Sequence, residues 1–88
     1  RNEVITSRVS YGLSFCITGQ ITYTHKGVNY VSKKGYAIIL PKGETYQLYG
    51  DKKGSFPVIN FDTAEHLCDT PCLIPIDDEG LFLTDVFY

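Results

Sequence analysis

The sequence lacks tryptophan and methionine, and it has only two histidines and three cysteines. An odd number of cysteines argues against a disulfide framework and predicts free thiols in a reducing, cytoplasmic compartment. Cys68 and Cys72 have a spacing that a disulfide or half of a zinc site would allow, but no second pair completes a set of four ligands. Because the chain begins at Arg1 and contains no methionine, we expect it to be a piece of a longer protein.

Long apolar runs and a large basic cluster are also missing. No stretch is long enough to cross a membrane, and no signal peptide is present. The net charge of −2 argues against direct binding of a phosphate backbone by this segment. The Lys33-Lys34 and Lys52-Lys53 pairs are interpreted as solvated turn residues. No nucleophile elbow, P-loop or dinucleotide motif occurs, so we predict that the chain is not an enzyme.

Aromatic residues are abundant, with seven Tyr and five Phe among 88 residues, which favours β-structure. Residues 36–40 form a short apolar run, Pro41-Lys42-Gly43 follows as a turn with a positive φ at Gly43, and residues 45–49 alternate again. This pattern predicts two strands folded around a Pro-x-Gly turn. Turn signals recur along the chain, so we predict an antiparallel all-β fold, either a small barrel or a two-sheet sandwich.

The longest alternating segment, residues 8–18, predicts a strand with a face of small or polar residues, namely Gly12, Ser14, Cys16 and Thr18. That face either lines an open interior or meets solvent. Further strands are predicted at residues 21–25, 28–32 and 55–62, and residues 1–7 form an arm or edge strand. Residues 63–80 are interpreted as an extended crossing segment, and residues 81–88 as a short C-terminal helix or a last strand.

Gly35, Pro41, Gly43, Tyr46 and Gly50 have the spacing of the second cupin motif, in which the Tyr46 position is usually His and the Gly50 position usually Asn. Together with the segments 14–31 and 58–61, the order of strands and turns resembles the N-terminal sensing domain of AraC-family transcriptional regulators. The resemblance implies one cupin-like (double-stranded β-helix or jelly-roll) barrel over about residues 8–62, with the crossing segment and tail at 63–88. It also implies a bacterial, cytoplasmic homodimer whose C-terminal DNA-binding domain is not in this chain.

Cupin enzymes hold a metal with histidines and a glutamate, and the resemblance places two of the histidines near Thr6 and Arg8, the glutamate on Gly12 and the last histidine on Tyr46. None of these residues supplies an imidazole or a carboxylate, so we expect no metal and no cofactor. His25 and His66 lie elsewhere in the pattern, and both are predicted to be surface residues.

The expected function is therefore that of a ligand-sensing and dimerisation domain that binds a small polar effector, such as a sugar, in a metal-free barrel. Tyr46 and Asn60 would supply hydrogen bonds, Phe56 a stacking surface, and Arg8 a site for an anionic group. The predicted ligand-binding residues are Arg8, Ser14, Cys16, Thr18, Tyr46, Leu48, Phe56, Val58 and Asn60. Two alternatives remain: a purely structural or dimerisation module with a plugged interior, and a small cupin isomerase.

Overall fold

The computed structural model describes residues 2–76, which form eight strands in two antiparallel sheets. Sheet A has the strand order β1-β6-β3-β4, and sheet B has the order β7-β2-β5-β8. The predicted all-β antiparallel class is confirmed. The strands are β1 (Asn2–Ile5), β2 (Tyr11–Phe15), β3 (Gln20–His25), β4 (Val28–Lys33), β5 (Tyr36–Leu40), β6 (Tyr46–Gly50), β7 (Val58–Phe61) and β8 (Cys72–Pro75).

Local sequence determines the tight turns. Strands β3 and β4 form a hairpin in which His25 pairs with Val28 across Lys26 and Gly27. Both turn residues have positive φ, 48° and 79°, which is the backbone twist that a two-residue hairpin requires. The predicted positive φ at Gly43 is likewise confirmed, at 85°.

The Pro41-Lys42-Gly43 turn connects the two sheets. It follows β5 in sheet B and leads into β6 in sheet A, so the two strands on either side of it do not pair with each other. The prediction of two strands folded onto one another at this turn is wrong in that respect. The turn instead places the inner faces of β5 and β6 against a common core.

The core lies between the sheets, and side chains of alternating residues on the inner faces form it. Tyr23 and Leu48 are opposite each other in sheet A, and Ile38 is opposite Ser14 in sheet B. Because inner residues alternate with outer ones, Tyr49 is 65% exposed although its neighbour Leu48 is buried. The buried cluster consists of Ile21, Tyr23, Ile38, Leu40, Tyr46 and Leu48.

Three predicted elements differ from the structure. The strand predicted over residues 8–18 is shorter in the structure, where β2 runs from Tyr11 to Phe15. After β2 the chain turns, and Ile17 and Thr18 form backbone hydrogen bonds with Ser55. The crossing segment contains a strand, β8, which pairs with the edge of β5. The two sheets remain separate within residues 2–76 and do not close into one hydrogen-bonded barrel.

Two other predictions concern the ends of the chain. The N-terminal arm is an edge strand, as predicted, since β1 pairs with β6 alone among the strands of residues 2–76. The predicted helix or strand at residues 81–88 lies outside the described residues. Over residues 2–76 the structure has no helix of the length and apolarity needed to cross a membrane.

Candidate functional site

A cavity of about 90 Å³ lies between the two sheets. Sheet A contributes residues from β1, β3 and β6, and sheet B contributes residues from β2 and β5 and the start of β7. Most of the wall is apolar, with one cation, one carboxylate and two hydroxyl-bearing aromatic residues. The lining residues are Glu3, Ile5, Arg8, Ser14, Ile21, Tyr23, Leu40, Tyr46, Leu48, Phe56 and Val58.

Arg8 is held in place by its main chain. Its backbone N–H donates to the carbonyl oxygen of Glu44 at 3.0 Å, and its own carbonyl accepts from the N–H of Gly43 at 2.7 Å. Both contacts are to the loop between β5 and β6. The base of the Arg8 side chain is therefore fixed at the edge of the cavity by two hydrogen bonds that do not involve its guanidinium group.

The Arg8 guanidinium group spans the two sheets. Nη2 donates to Oδ1 of Asn60 in β7, and Nη1 makes a long hydrogen bond of 3.4 Å to the hydroxyl of Tyr46 in β6. The group lies directly over Gly12, where an added Cβ would come within 2.8 Å of Cζ. Nε is buried and has no hydrogen-bond partner among residues 2–76. Glycine at position 12 therefore makes the space that the guanidinium group occupies.

Tyr46 presents its hydroxyl to the polar end of the cavity. Burial raises the pKa of this phenol, while the charge and hydrogen bond of Arg8 act in the opposite direction and Glu3 adds a smaller upward contribution. The phenol is therefore protonated at neutral pH and has an O–H to donate as well as lone pairs that accept from Arg8. Its ring makes an edge-on contact with Tyr23, with 5.8 Å between the ring centroids.

The Phe56 ring also lines the cavity, and two glycines make room for it. A Cβ on Gly50 would lie 3.1 Å from the ring, and one on Gly54 would overlap it. Nearby, the Ser14 hydroxyl donates to the carbonyl oxygen of Pro57 at 3.1 Å. The polar group of Ser14 is therefore already used to attach the segment before β7 to β2.

The structure brings most of the predicted ligand-binding residues together. Asn60 is exposed and reaches the site through its hydrogen bond to Arg8. Three predicted residues, Asn60 among them, do not line the cavity. Cys16 is buried with its thiol near the carbonyl oxygens of Thr18 and Gly19, at 3.6 and 3.4 Å, and Thr18 is exposed at the bridge to Ser55. The predicted residues in the cavity wall are Arg8, Ser14, Tyr46, Leu48, Phe56 and Val58.

Five lining residues were not predicted from the sequence. Ile21 and Tyr23 share one face of the alternating strand β3, and that alternation was the available signal. Leu40 is opposite Gly12 in the register of β2 and β5, so its position depends on pairing that the sequence does not show. Glu3 and Ile5 come from β1, whose short polar sequence gives little indication of an inner face.

The prediction that His25 is a surface residue is wrong. Its side chain is 1% exposed, and Nε2 donates to Oε1 of Glu44 at 2.7 Å. This hydrogen bond is the largest cause of a lowered pKa at Glu44; burial opposes it, and Lys26, 3.5 Å away, adds to it. His66 is exposed beside Asp69, as predicted.

The cysteines are free, as predicted. Cys16 and Cys68 are at least half-buried, and burial raises the pKa of both thiols. The negative charge of Asp51 adds to the shift at Cys16, and Cys72 and Asp69 add to the shift at Cys68. A raised pKa leaves these thiols protonated at neutral pH, so they have little nucleophilic character.

Three of the positions that the cupin resemblance assigns to metal ligands meet at this site. Arg8 lies over Gly12 and bonds to Tyr46, whereas Thr6 is exposed. Arg8 offers a cation, Gly12 has no side chain, and Tyr46 offers a neutral phenol. None of these is a suitable ligand for a divalent metal. Within residues 2–76 no group of three or more His, Cys, Asp or Glu side chains is arranged to hold a metal ion.

Comparison with models of known protein families gives no match to this chain, and comparison with curated proteins gives none either. The resemblance to AraC-family sensing domains therefore stays a prediction from the order and spacing of residues.

Proposed function

We propose that this chain is the effector-sensing and dimerisation domain of a bacterial, cytoplasmic transcriptional regulator of the AraC type. Its two sheets would be a cupin-like sandwich without a metal, and a small polar effector would bind in the cavity between them. DNA binding would belong to a C-terminal domain outside this chain.

The observation that carries the proposal is that Arg8 and Tyr46 meet in the wall of the cavity described above, with the Arg8 guanidinium group packed over Gly12. The resemblance independently assigns these three positions to the centre of a cupin site. A sequence that shared only turn spacing with cupins would have no reason to bring positions 38 residues apart, Arg8 and Tyr46, into contact there. Arginine in place of a metal ligand gives the site a fixed positive charge, which suits binding better than catalysis.

The location of the cavity supports a sensing mechanism. Its polar lining residues come from both sheets, because Tyr46 belongs to sheet A and Ser14 to sheet B, and Arg8 also bonds to Asn60 in sheet B. A ligand that contacts both sheets binds one of their relative arrangements more tightly than others, and so shifts the population toward it. A partner subunit or an attached domain that packs on either sheet then responds to that shift.

The proposal is tested with the natural full-length protein. We expect the sequence encoded after Tyr88 to carry two helix-turn-helix units and a basic surface, and we expect a cavity ligand to change the affinity for promoter DNA by about 5–150-fold. Sedimentation velocity would measure the dimer. A stop codon directly after Tyr88, or DNA affinity that no cavity ligand changes, would contradict the proposal.

A second function is favoured by the small volume of the cavity. The cavity has a volume of only about 90 Å³, and the Tyr23, Tyr46 and Phe56 rings line it. The domain would then serve as a structural or dimerisation module with a filled interior. Dimerisation without any ligand response would favour this function.

The third candidate is a small isomerase. In that case we expect Tyr46→Phe to lower the isomerase activity.

A further inference from the structure

We propose that the cavity binds a small monocarboxylic acid, with the carboxylate on Arg8 and a short apolar group between the sheets. This inference rests on the proposed function and narrows the effector from polar molecules in general to one chemical class.

The first argument is the charge of Arg8. A guanidinium group stays protonated in proteins, and a partly buried cation is stabilised best by an anion. Both of its hydrogen-bond partners within residues 2–76 are neutral, the amide oxygen of Asn60 and the phenol of Tyr46. A carboxylate from outside the chain would bring a negative charge into direct contact with the guanidinium group.

The second argument is the number of unused donors. Arginine has five N–H groups, and Arg8 uses one on Nη1 and one on Nη2 in these two bonds. Each of these nitrogens therefore keeps a second N–H. The bond to Tyr46 is long, at 3.4 Å, so it is easily replaced by a stronger bond to a charged oxygen. The protonated Tyr46 hydroxyl can then donate to the same carboxylate.

The third argument is the rest of the wall. Beyond Arg8 and Tyr46 the cavity is lined mainly by aliphatic side chains and the Phe56 ring, which favour an apolar group on the ligand. The volume of about 90 Å³ suits a few non-hydrogen atoms and is too small for a sugar ring unless the sheets move apart. The aliphatic lining residues are Ile5, Ile21, Leu40, Leu48 and Val58.

The composition of the wall restricts the ligand further. Arg8 is the single cation among the lining residues, and the aliphatic side chains form most of the remaining wall. A second negative charge on the ligand would have to be buried among these aliphatic side chains without a cation beside it. The site therefore selects one carboxylate rather than two.

The experiment is a thermal-shift titration of the chain at constant ionic strength and neutral pH. Propanoate, butanoate and 2-methylpropanoate are compared with the matching primary amides, with the dicarboxylate succinate, and with arabinose and glucose. We expect the monocarboxylates to raise Tm by about 5 °C near saturation, and the amides and succinate to raise it much less. Sodium chloride at equal ionic strength serves as the blank.

Two variants assign the effect to Arg8. Arg8→Lys keeps the charge but loses the planar fork, and we expect acid affinity to fall by about tenfold or more. Asn60→Asp places a carboxylate from the chain beside the guanidinium group in nearly the same shape, so it should stabilise the free protein and abolish the acid response. Asp62→Asn, which changes a nearby exposed carboxylate paired with Lys42, is the matched control and should bind acids as the natural chain does.

Each outcome decides between the proposals. If the amides raise Tm as much as the acids, or if the acid response survives both Arg8→Lys and Asn60→Asp, the inference is wrong. If arabinose or another neutral molecule binds and the acids do not, the inference fails while the sensing function stands. If nothing in the panel binds and no ligand alters DNA affinity of the full-length protein, both fail.

Discussion

Ile38 is the most completely buried side chain of the core, with no exposed surface, and it lies in β5 opposite Ser14 and Leu73. We predict that Ile38→Ala lowers the free energy of unfolding by about 2–5 kcal/mol, because the neighbouring strands cannot collapse fully into the space. Urea denaturation measures the change. The same substitution at Ile59, which is 44% exposed, is the control and should cost clearly less. Equal losses at both sites would contradict the core described here.

Single residues were predictable from the sequence where strand alternation alone decides their face. Ser14 and Val58 were placed on the inner side in this way, and they are opposite each other in the sheet. His25 was not predictable, because its burial depends on Glu44, 19 residues further along the chain. Cys16 and Thr18 were misplaced because the alternation continues in the sequence after β2 has ended.

The hydrogen bond between His25 and Glu44 joins the β3–β4 turn to the loop between β5 and β6. Since the pKa of Glu44 is lower in the folded chain than in the unfolded one, its stabilisation is present above the unfolded pKa. It is lost as the pH falls through the folded pKa. We predict that Glu44→Gln makes the loss of stability between about pH 6 and pH 3 less steep.

Urea midpoints measured across this pH range test the prediction. Glu65→Gln, which removes an exposed carboxylate from the segment between β7 and β8, is the control and should leave the slope closer to that of the natural chain. A steeper slope for Glu44→Gln than for the natural chain would mean that the carboxylate opposes folding at this position.

Gly43 gives a second test at the scale of elements. It has a φ of 85°, and a Cβ at this position would contact nothing within 4 Å, so its substitution changes backbone strain alone. We predict that Gly43→Ala lowers the free energy of unfolding by about 1–2 kcal/mol. Gly43→Asn should cost less, because asparagine tolerates the left-handed region better. Chemical denaturation of both variants measures the difference, and identical costs would contradict this explanation.

Strands and turns were predictable where nearby glycine and proline residues mark the turns. The β3–β4 hairpin and the turn at Gly43 follow from such signals. Strand β8 was missed because Pro71, just before it, and Pro75, its last residue, suggested an irregular crossing segment. An edge strand tolerates proline at its end, and β8 needs only one partner, β5, to form.

At the scale of the whole molecule, strands β2, β3, β5 and β6 are central and the remaining four form the edges. We predict that amide hydrogen exchange is slowest in these central strands and approaches the rate for global unfolding there, with edge strands exchanging through local opening. Exchange measured by NMR tests this order. Protection in β1 or β8 equal to that in β5 would indicate that something further covers those edges in solution.

The all-β class was predictable for the whole molecule from the regular spacing of turns, but the division of the strands into sheets was not. Strand pairing is non-local: β1 pairs with β6, so Asn2 is opposite Tyr49. Nothing in the local sequence identifies that partner. The cavity exists only because these distant pairings bring Arg8, Tyr46 and Asn60 together, which is why its size and polarity required the structure.

The main-chain attachment of Arg8 has a practical consequence. The two backbone hydrogen bonds to Gly43 and Glu44 do not depend on which side chain residue 8 carries. Replacing arginine therefore changes the side chain and leaves the backbone position of residue 8 unchanged. The chemistry at this edge of the cavity can be varied with acidic, basic or neutral side chains on the same backbone.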